Sequence, residues 1–339
     1  MKIVKKLIAV LAISAISLSV VACGSNTDTT AQTTESTGTT ANSEKDTTVI
    51  ATVEGTPIYK SAFDEEMAYV EYMMTYQYGE DYKDNEEAMA AYNQQKQDIL
   101  QYLIESQVLL EKAKSLDIKA TDEEIEEEIN TVKAQFESED KFNEALEQSG
   151  LTLDELKKQA EERLIISKMV TEGTKDVTAT EDEAKAYYDE NINSYTTGAG
   201  ANMAHILVET EDEAKKVKAE YDAGTSFEDL AAQYGTDGTK DKGGALGFIE
   251  YDSPNYDADF LAGAKGLAEG EVSDPVKTQF GWHLIKVTDV QKDSVTKSFE
   301  EVKDEVLEQV KEEKSYQVFN DNLDKWKSEM KIETFENRL

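Results

Sequence analysis

The sequence predicts an α+β protein, in which a small domain of helices and strands is inserted into a mostly helical domain formed by the N- and C-terminal segments. Three observations predict this architecture. Apolar residues recur at helical spacing from about residue 61 to 194, and again from 298 to 330. Between these stretches, short apolar runs and glycine-rich turns replace the helical spacing. The 339 residues include only 3 prolines, which favours helices because proline interrupts them.

The first 22 residues have the pattern of a secretory signal. Lys2, Lys5 and Lys6 precede an apolar run over residues 7–22, and Cys23, the only cysteine, follows Val-Val-Ala. The run is shorter than the roughly 20 apolar residues of a spanning helix. An uncleaved anchor helix is the alternative. The pattern resembles a bacterial lipoprotein signal, which implies cleavage before Cys23, a lipid on its sulfur, and a mature chain anchored to the outer face of the cell membrane, in a Gram-positive envelope.

Residues 23–47 are predicted to be the lipidated cysteine followed by a flexible tether. Residues 24–47 are rich in Thr, Ser, Asn and Gln and contain no large apolar residue, so they lack the surface that would hold them folded. The net charge of the whole chain is −36, and loss of the three signal lysines lowers it to −39. Such a charge argues against nucleic acid as a partner, while basic unfolded chains remain compatible with it.

The helical domain is predicted to occupy residues 48–197. Residues 49–63 predict a short strand, a turn at Gly55 and a helix that begins near Ser61. Further helices are predicted over 85–116, 121–137, 139–149, 152–172 and 180–194. Three of them begin with threonine followed three residues later by glutamate, which is the capping-box pattern: Thr121/Glu124, Thr152/Glu155 and Thr180/Glu183.

The inserted domain is predicted over residues 198–290, with the element order βαααββ. A strand at 203–208 is followed by helices at 210–221, 227–234 and 257–264, and then by strands at 276–278 and 283–290; a loop is expected from 235 to 247. The chain has only two histidines, His205 and His283, and both lie in this domain. Two histidines that merely pack on strands are the alternative to a functional pair.

Five motifs in this domain carry a family resemblance: AHILV (204–208), FEDLAAQYGTDG (227–238), GGALGF (243–248), GEVSDPVKTQFG (270–281) and GWHLIKV (281–287). Together they resemble a parvulin-type peptidyl-prolyl isomerase domain. The resemblance implies that His205 and His283 lie behind the catalytic floor, bonded to Asp237 and Thr278. It implies no metal and no cofactor. Isomerisation only has to lower the rotational barrier of roughly 18–20 kcal/mol about the peptide bond.

The resemblance also implies a proline-binding slot, in which this sequence departs from the family at two positions. Leu246 and Phe260 match the leucine and phenylalanine of the slot. Tyr256 occupies the methionine position, and Lys265 stands where many relatives carry an aromatic residue. A lysine weakens an apolar wall, so a domain that binds chains but turns over slowly is an open alternative.

Residues 291–339 are predicted to form a helix over 298–330 that packs back on the N-terminal helices. The layout of the whole chain resembles the export foldase lipoproteins of Gram-positive bacteria, the PrsA type. That implies an X–Pro isomerase that assists unfolded or newly exported polypeptides; a dimer is left open. One alternative is a non-enzymatic holdase. A remote one is the substrate-binding lipoprotein of a transporter, which would require alternating βα units that the sequence lacks.

Overall fold

The computed structural model describes residues 46–339. The predictions for the signal, for Cys23 and for nearly all of the tether therefore lie outside the described residues. The chain divides into two compact units. The helical unit comprises the described residues up to Thr178 together with Lys311–Leu339, and the α/β unit comprises Ala179–Val310. The α/β unit is thus wider than the inserted domain of 198–290 expected from the sequence.

The elements are numbered along the chain. The helices are α1 Lys60–Tyr78, α2 Glu86–Ser115, α3 Asp122–Lys133, α4 Glu139–Ser149, α5 Leu153–Thr174, α6 Glu181–Glu190, α7 Glu211–Asp222, α8 Phe227–Tyr234, α9 Ala258–Ala264 and α10 Phe299–Glu329. The strands are β1 Val49–Val53, β2 Thr56–Tyr59, β3 Thr196–Thr197, β4 Gly200–Val208, β5 Ala245–Glu250, β6 Val276–Thr278, β7 Gly281–Gln291, β8 Val295–Thr296 and β9 Ile332–Thr334.

The helices begin where local side chains satisfy their free backbone N–H groups. Complete capping boxes are present at the three predicted sites, Thr121, Thr152 and Thr180, and a fourth opens α7 at Thr210. In each, the threonine hydroxyl accepts from the backbone of a glutamate three residues on, and that glutamate accepts from the threonine backbone. None of the helices within residues 46–339 combines the length and the apolar character needed to cross a membrane.

The C-terminal segment completes the helical unit by closing its sheet. Strand β1 pairs antiparallel with β2 on one side and with β9 on the other. The β1–β2 turn places Glu54 and Gly55 at positive φ, as a two-residue hairpin turn requires. The sequence did not indicate β9. It has only three residues, and its place is set by pairing with β1 at the other end of the chain.

The core of the helical unit contains residues from both ends of the chain. Phe319, Leu323 and Trp326 of α10 are buried in one cluster with residues of α1, α2, α5 and the first sheet. The carboxylate of Glu105, which is 3% exposed, accepts from Lys327 Nζ at 2.9 Å. The C-terminal helix therefore packs on the N-terminal helices, as predicted.

The α/β unit is built on a four-stranded antiparallel sheet in the order β5-β4-β7-β6. One face packs against α7 and α8 through a cluster that includes Ile206, Phe227 and Leu284. The other face packs against α9 through a cluster that includes Met203 and Phe260. The predicted order of one strand, three helices and two strands is present, with one addition.

The addition is strand β5, which begins at Ala245, inside the loop expected over 235–247. Its glycine and its exposed positions hide the strand alternation, and pairing with β4 supplies the order instead. The predicted helix at 180–194 also ends early, at Glu190, and a short 3₁₀ turn follows. Helix α6 packs on the first turns of α10, where Tyr188 Oη donates to the carbonyl of Lys297 at 2.6 Å. That packing extends the unit beyond residues 198–290.

Candidate active site

Strand register brings the two histidines together on the α9 face of the sheet. His205 of β4 pairs with Ile285 of β7, and His283 of β7 pairs with Leu207 of β4. The histidines are therefore diagonal neighbours, two residues apart in register and on the same face. Their rings stack at 15° with centroids 5.3 Å apart, and their Nδ1 atoms are separated by 3.0 Å.

A chain of hydrogen bonds runs through both rings. Asp237 Oδ2 lies 2.8 Å from His205 Nε2, and Thr278 Oγ1 lies 2.8 Å from His283 Nε2. With the Nδ1 pair, this places all four ring nitrogens in contacts within the protein. The structure thus brings together the four residues predicted from the sequence, His205, Asp237, Thr278 and His283. Their catalytic roles remain predictions.

A tight turn fixes the position of Asp237. Its Oδ1 accepts from the backbone N–H of Thr239 at 2.8 Å and from the Thr239 hydroxyl at 2.6 Å. The preceding residue, Thr236, donates its backbone N–H and its hydroxyl to the carbonyl of Leu207 on β4. Thr239 was missed from the sequence. An aspartate two residues before a threonine is a common turn signal, and only the fold shows that this turn faces a histidine.

Glycine is required where this loop crosses the strand that carries His205. Gly244 has φ +75°, and a Cβ at this position would lie 2.1 Å from the carbonyl oxygen of His205. Its own carbonyl accepts from the backbone N–H of His205 at 2.9 Å. Only a residue without a side chain allows the loop to lie this close to β4.

The pattern of donors and acceptors assigns one tautomer to each histidine. An ionised Asp237 only accepts, so His205 carries its proton on Nε2 and accepts at Nδ1. His283 Nδ1–H donates to that nitrogen, which leaves His283 Nε2 to accept from the hydroxyl of Thr278. The Thr278 oxygen in turn accepts from the backbone N–H of Phe280 at 3.1 Å. Every bond in the chain therefore points in the same direction, toward Asp237.

The electrostatics agree with these protonation states. Burial lowers the pKa of His283 to about 4, and the neighbouring His205 lowers it further in the same direction. Burial also lowers the pKa of His205, although Asp237 opposes the shift. Burial raises the pKa of Asp237, but hydrogen bonds from Thr239 outweigh this and leave it below its usual value. At neutral pH the site thus has two neutral imidazoles and one carboxylate.

The predicted slot residues surround the rings on the same face of the sheet. Phe260 is buried, and it contacts His205 and His283 edge-on, with centroids 5.8 and 5.4 Å away. Tyr256 stacks on Phe260 at 6.0 Å, and Leu246 packs against the same cluster. Tyr256 therefore places an aromatic ring against Phe260 at the position that matches the family's methionine. Lys265 is exposed at the C-terminal end of α9.

The nearest candidate for a metal site would be the histidine pair, but its nitrogens are already bonded to protein atoms. Across residues 46–339, no group of three or more His, Cys, Asp or Glu side chains has an arrangement suited to a metal ion.

Comparison with known proteins identifies the family of this chain. Residues 179–304 match the PPIC-type PPIASE domain, and residues 1–170 match the SurA-like N-terminal domain. Foldase protein PrsA of Clostridium botulinum strain 657 is 37% identical over 348 residues, covering 100% of both chains. The chain belongs to the PrsA foldase family. PrsA of Clostridium acetobutylicum is 44% identical over 268 residues, covering 78% of this chain and 80% of that relative.

The PPIC-type domain and membership of the PrsA family make the chain a peptidyl-prolyl isomerase. Solved structures include PrsA of Bacillus anthracis, at 30% identity over 67% of this chain and 96% of that chain, with a TM-score of 0.27. PrsA of Bacillus subtilis is 26% identical over 84% of this chain and 93% of that chain, with a TM-score of 0.26. The α+β class and the PrsA-type layout predicted from the sequence are confirmed.

Proposed function

We propose that this protein is a lipid-anchored foldase that isomerises X–Pro bonds in polypeptides arriving on the outer face of the cell membrane. The observation that carries the proposal is the continuous hydrogen-bond chain from Thr278 to Asp237, which lies beside the apolar cluster of Leu246, Tyr256 and Phe260. In this proposal, Leu246, Tyr256 and Phe260 hold the proline ring. The chain of bonds forms the floor beneath the peptide bond that rotates.

The histidines act in this proposal as positioning residues. All four of their ring nitrogens are bonded within the protein, so none is left to bond a peptide. His283 is 4% exposed, which also removes it from direct contact with solvent. The two rings fix the positions of Asp237 and of the Phe260 ring. Because both imidazoles are neutral, the floor carries no positive charge.

Asp237 carries the only charge of the network, and its side chain is 26% exposed. Amide resonance stiffens the C–N bond by moving negative charge to the carbonyl oxygen. A carboxylate near that oxygen disfavours this charge separation, while a twisted amide has less of it. The carboxylate thereby raises the free energy of the planar amide relative to that of the twisted amide. This smaller difference in free energy accelerates rotation.

The anchor and the location are proposed from the sequence. The Val-Val-Ala-Cys pattern after an apolar run supports lipidation of Cys23, and residues 24–47 supply a polar tether. Clients delivered unfolded across a membrane would then meet the isomerase where they emerge.

The proposal is tested by pairing an activity with a location. The purified chain should accelerate exchange between the cis and trans forms of an Ala-Pro peptide, measured by exchange NMR. In cells, the wild-type chain should sediment with membranes, and Cys23→Ser should release it or leave its signal uncleaved. Absence of any rate above buffer would remove the enzymatic part. Normal processing and unchanged membrane sedimentation of Cys23→Ser would remove the lipid anchor.

A further inference from the structure

Helix α1 presents a second apolar face to solvent. Tyr69, Tyr72, Met73 and Tyr76 are spaced three and four residues apart, so they lie on one side of the helix. All four are exposed, up to 65% for Tyr72 and 81% for Tyr76. We call these four residues the aromatic face of α1.

The aromatic face is not needed to hold the helix in place. Phe63, Met67 and Met74 lie on the opposite side of α1 and are buried in the core of the helical unit. Surface aromatic residues scattered singly need no explanation, but a continuous row of them points to a binding surface. Tyrosine and methionine suit such a surface, because tyrosine has a polar tip and methionine is flexible.

Acidic residues border the aromatic face. From residue 61 to 82 the chain has six acidic residues and no Lys, Arg or His. Asp64 is paired with Lys60 and Glu71 accepts from Tyr92, whereas Glu65 and Glu66 lie on the side of α1 that carries the aromatic face. Glu66 lies about two turns before Met73 on the same side of the helix. No ion pair is found for Glu66 among the described residues, and burial raises the pKa of its carboxyl. This carboxyl is without the cation that would stabilise its charge.

Two neighbouring helices bring a ring and a second carboxylate to this region. Burial raises the pKa of Tyr102 on α2, and the carboxylates of Glu66 and of Glu162 on α5 raise it further, against a hydrogen bond with Ser106. The nearby cation, Arg163, is engaged by Glu128 at 3.4 Å. Lys158 lies 3.7 Å from Glu162, but burial still raises the pKa of the Glu162 carboxyl.

Three occupants can be compared for this surface. The chain's own residues 24–47 contain no large apolar side chain with which to cover it. A second copy would bring a border of like charge against Glu66 and its neighbours, which is repulsive. A polypeptide that alternates apolar and basic residues fits both the row of rings and the negative border.

We infer that the aromatic face of α1 and the Glu66 carboxylate bind extended polypeptide segments in which large apolar residues alternate with Lys or Arg. The inference deepens the proposed foldase function by naming where a client is held and which of its segments are chosen. From Tyr69 to Tyr76 the face is about 10 Å long, which an extended segment of three or four residues spans.

The test measures binding of labelled peptides to the purified full-length protein by fluorescence anisotropy. One peptide alternates Lys with Leu and Phe. Its first twin replaces every Lys by Glu, and its second replaces Leu and Phe by Ser. The protein variants are Tyr72→Ser/Tyr76→Ser and Glu66→Gln. Their matched controls are Leu116→Ser/Val295→Ser, which alters exposed apolar residues elsewhere, and Glu147→Gln, which removes an exposed carboxylate of α4.

We expect the Lys peptide to bind, and we expect the Glu and Ser peptides to bind at least about tenfold more weakly, a difference of about 1.4 kcal/mol. The tyrosine double variant should lose a similar factor. Glu66→Gln should weaken the Lys peptide and reduce the salt dependence of its binding, because salt screens the lost attraction. The two controls should bind as wild type does.

Two outcomes overturn the inference. One is equal binding by wild type and the tyrosine double variant, and the other is equal binding of the Lys and Glu peptides by wild type. Isomerisation of a short Ala-Pro peptide is followed on the same samples. If a variant loses peptide binding but isomerises normally, the proposed isomerase stands. If wild type does not isomerise but still prefers the Lys peptide, the isomerase is contradicted and the binding surface stands.

Discussion

Replacing Asp237 by asparagine should reverse the direction of the whole hydrogen-bond chain. Asp237 Oδ1 accepts two bonds from Thr239, so an asparagine keeps its oxygen there and turns its NH₂ toward His205. That NH₂ is a donor, so His205 Nε2 must become an acceptor. The proton of His205 then moves to Nδ1, and His283 in turn must carry its proton on Nε2.

The reversed chain ends in a conflict at Thr278. Its oxygen would accept from both His283 and the backbone of Phe280, and its hydroxyl proton would lose its acceptor. Thr278 is 4% exposed, so water does not replace that acceptor. An unsatisfied buried donor costs about 1–3 kcal/mol. The substitution also removes the only charge of the network, and we expect isomerisation to fall at least about tenfold, or about 1.4 kcal/mol in the barrier.

The assay uses the fact that the chain has only two histidines. Long-range ¹H–¹⁵N correlation spectra of protein labelled at histidine show which ring nitrogen of each residue carries the proton. Wild type should show Nε2–H for His205 and Nδ1–H for His283, and Asp237→Asn should show both reversed. Asp241→Asn, an exposed change in the same loop, should leave the spectrum and the rate as in wild type. Unchanged tautomers in Asp237→Asn would refute the assigned direction of the chain.

Three further predictions concern the same site and the core. Lowering the pH from 6.5 to 4 should destabilise the α/β unit by roughly 3 kcal/mol, because the folded-state pKa of His283 lies below its ordinary value and the unfolded chain binds the extra proton. Denaturant unfolding followed by Trp282 fluorescence in a Trp326→Phe background measures the unfolding free energy at each pH. An unfolding free energy that stays constant over this range contradicts the prediction. Phe260→Leu should raise KM for X–Pro peptides more than it lowers kcat, since it removes the ring beside both histidines; an unchanged KM would exclude Phe260 from the slot. Lys327→Met should cost roughly 3–5 kcal/mol of unfolding free energy because it leaves the buried Glu105 carboxylate without its partner, and adding Glu105→Gln should recover most of that loss. Denaturant titration measures the two single variants and the double variant. Additive losses of unfolding free energy would refute the coupling.

The sequence predicts well those features that depend on neighbours along the chain. The capping boxes at Thr121, Thr152 and Thr180 form as predicted, because each needs only a hydroxyl and a carboxylate three residues apart. The family motifs located the site in the same way. Asp237 lies more than 30 positions from either histidine in sequence, and only the resemblance placed it beside them before the fold did.

Features that depend on a distant partner were missed. Strand β9 is ordered by pairing with β1 at the other end of the chain, and β5 is ordered by pairing with β4. Thr239 contributes to the site only because the carbonyl of Leu207 holds the preceding turn against β4. The wider limits of the α/β unit have the same origin, since α6 packs on residues of α10 that follow it by more than 100 positions.

The hydrogen-bond chain restricts the kind of reaction that the site is suited to. Acid–base catalysis needs a group whose pKa lies near the working pH and which has a nitrogen or oxygen free to reach the substrate. Here the pKa of His283 is about 4, the pKa of His205 is lowered, and every ring nitrogen is already bonded. In the proposed function, what faces a peptide is a fixed carboxylate at Asp237 and an apolar wall at Phe260. Such a floor suits a reaction in which no proton moves and only the charge distribution of the substrate changes, and rotation about an X–Pro bond is a reaction of that kind.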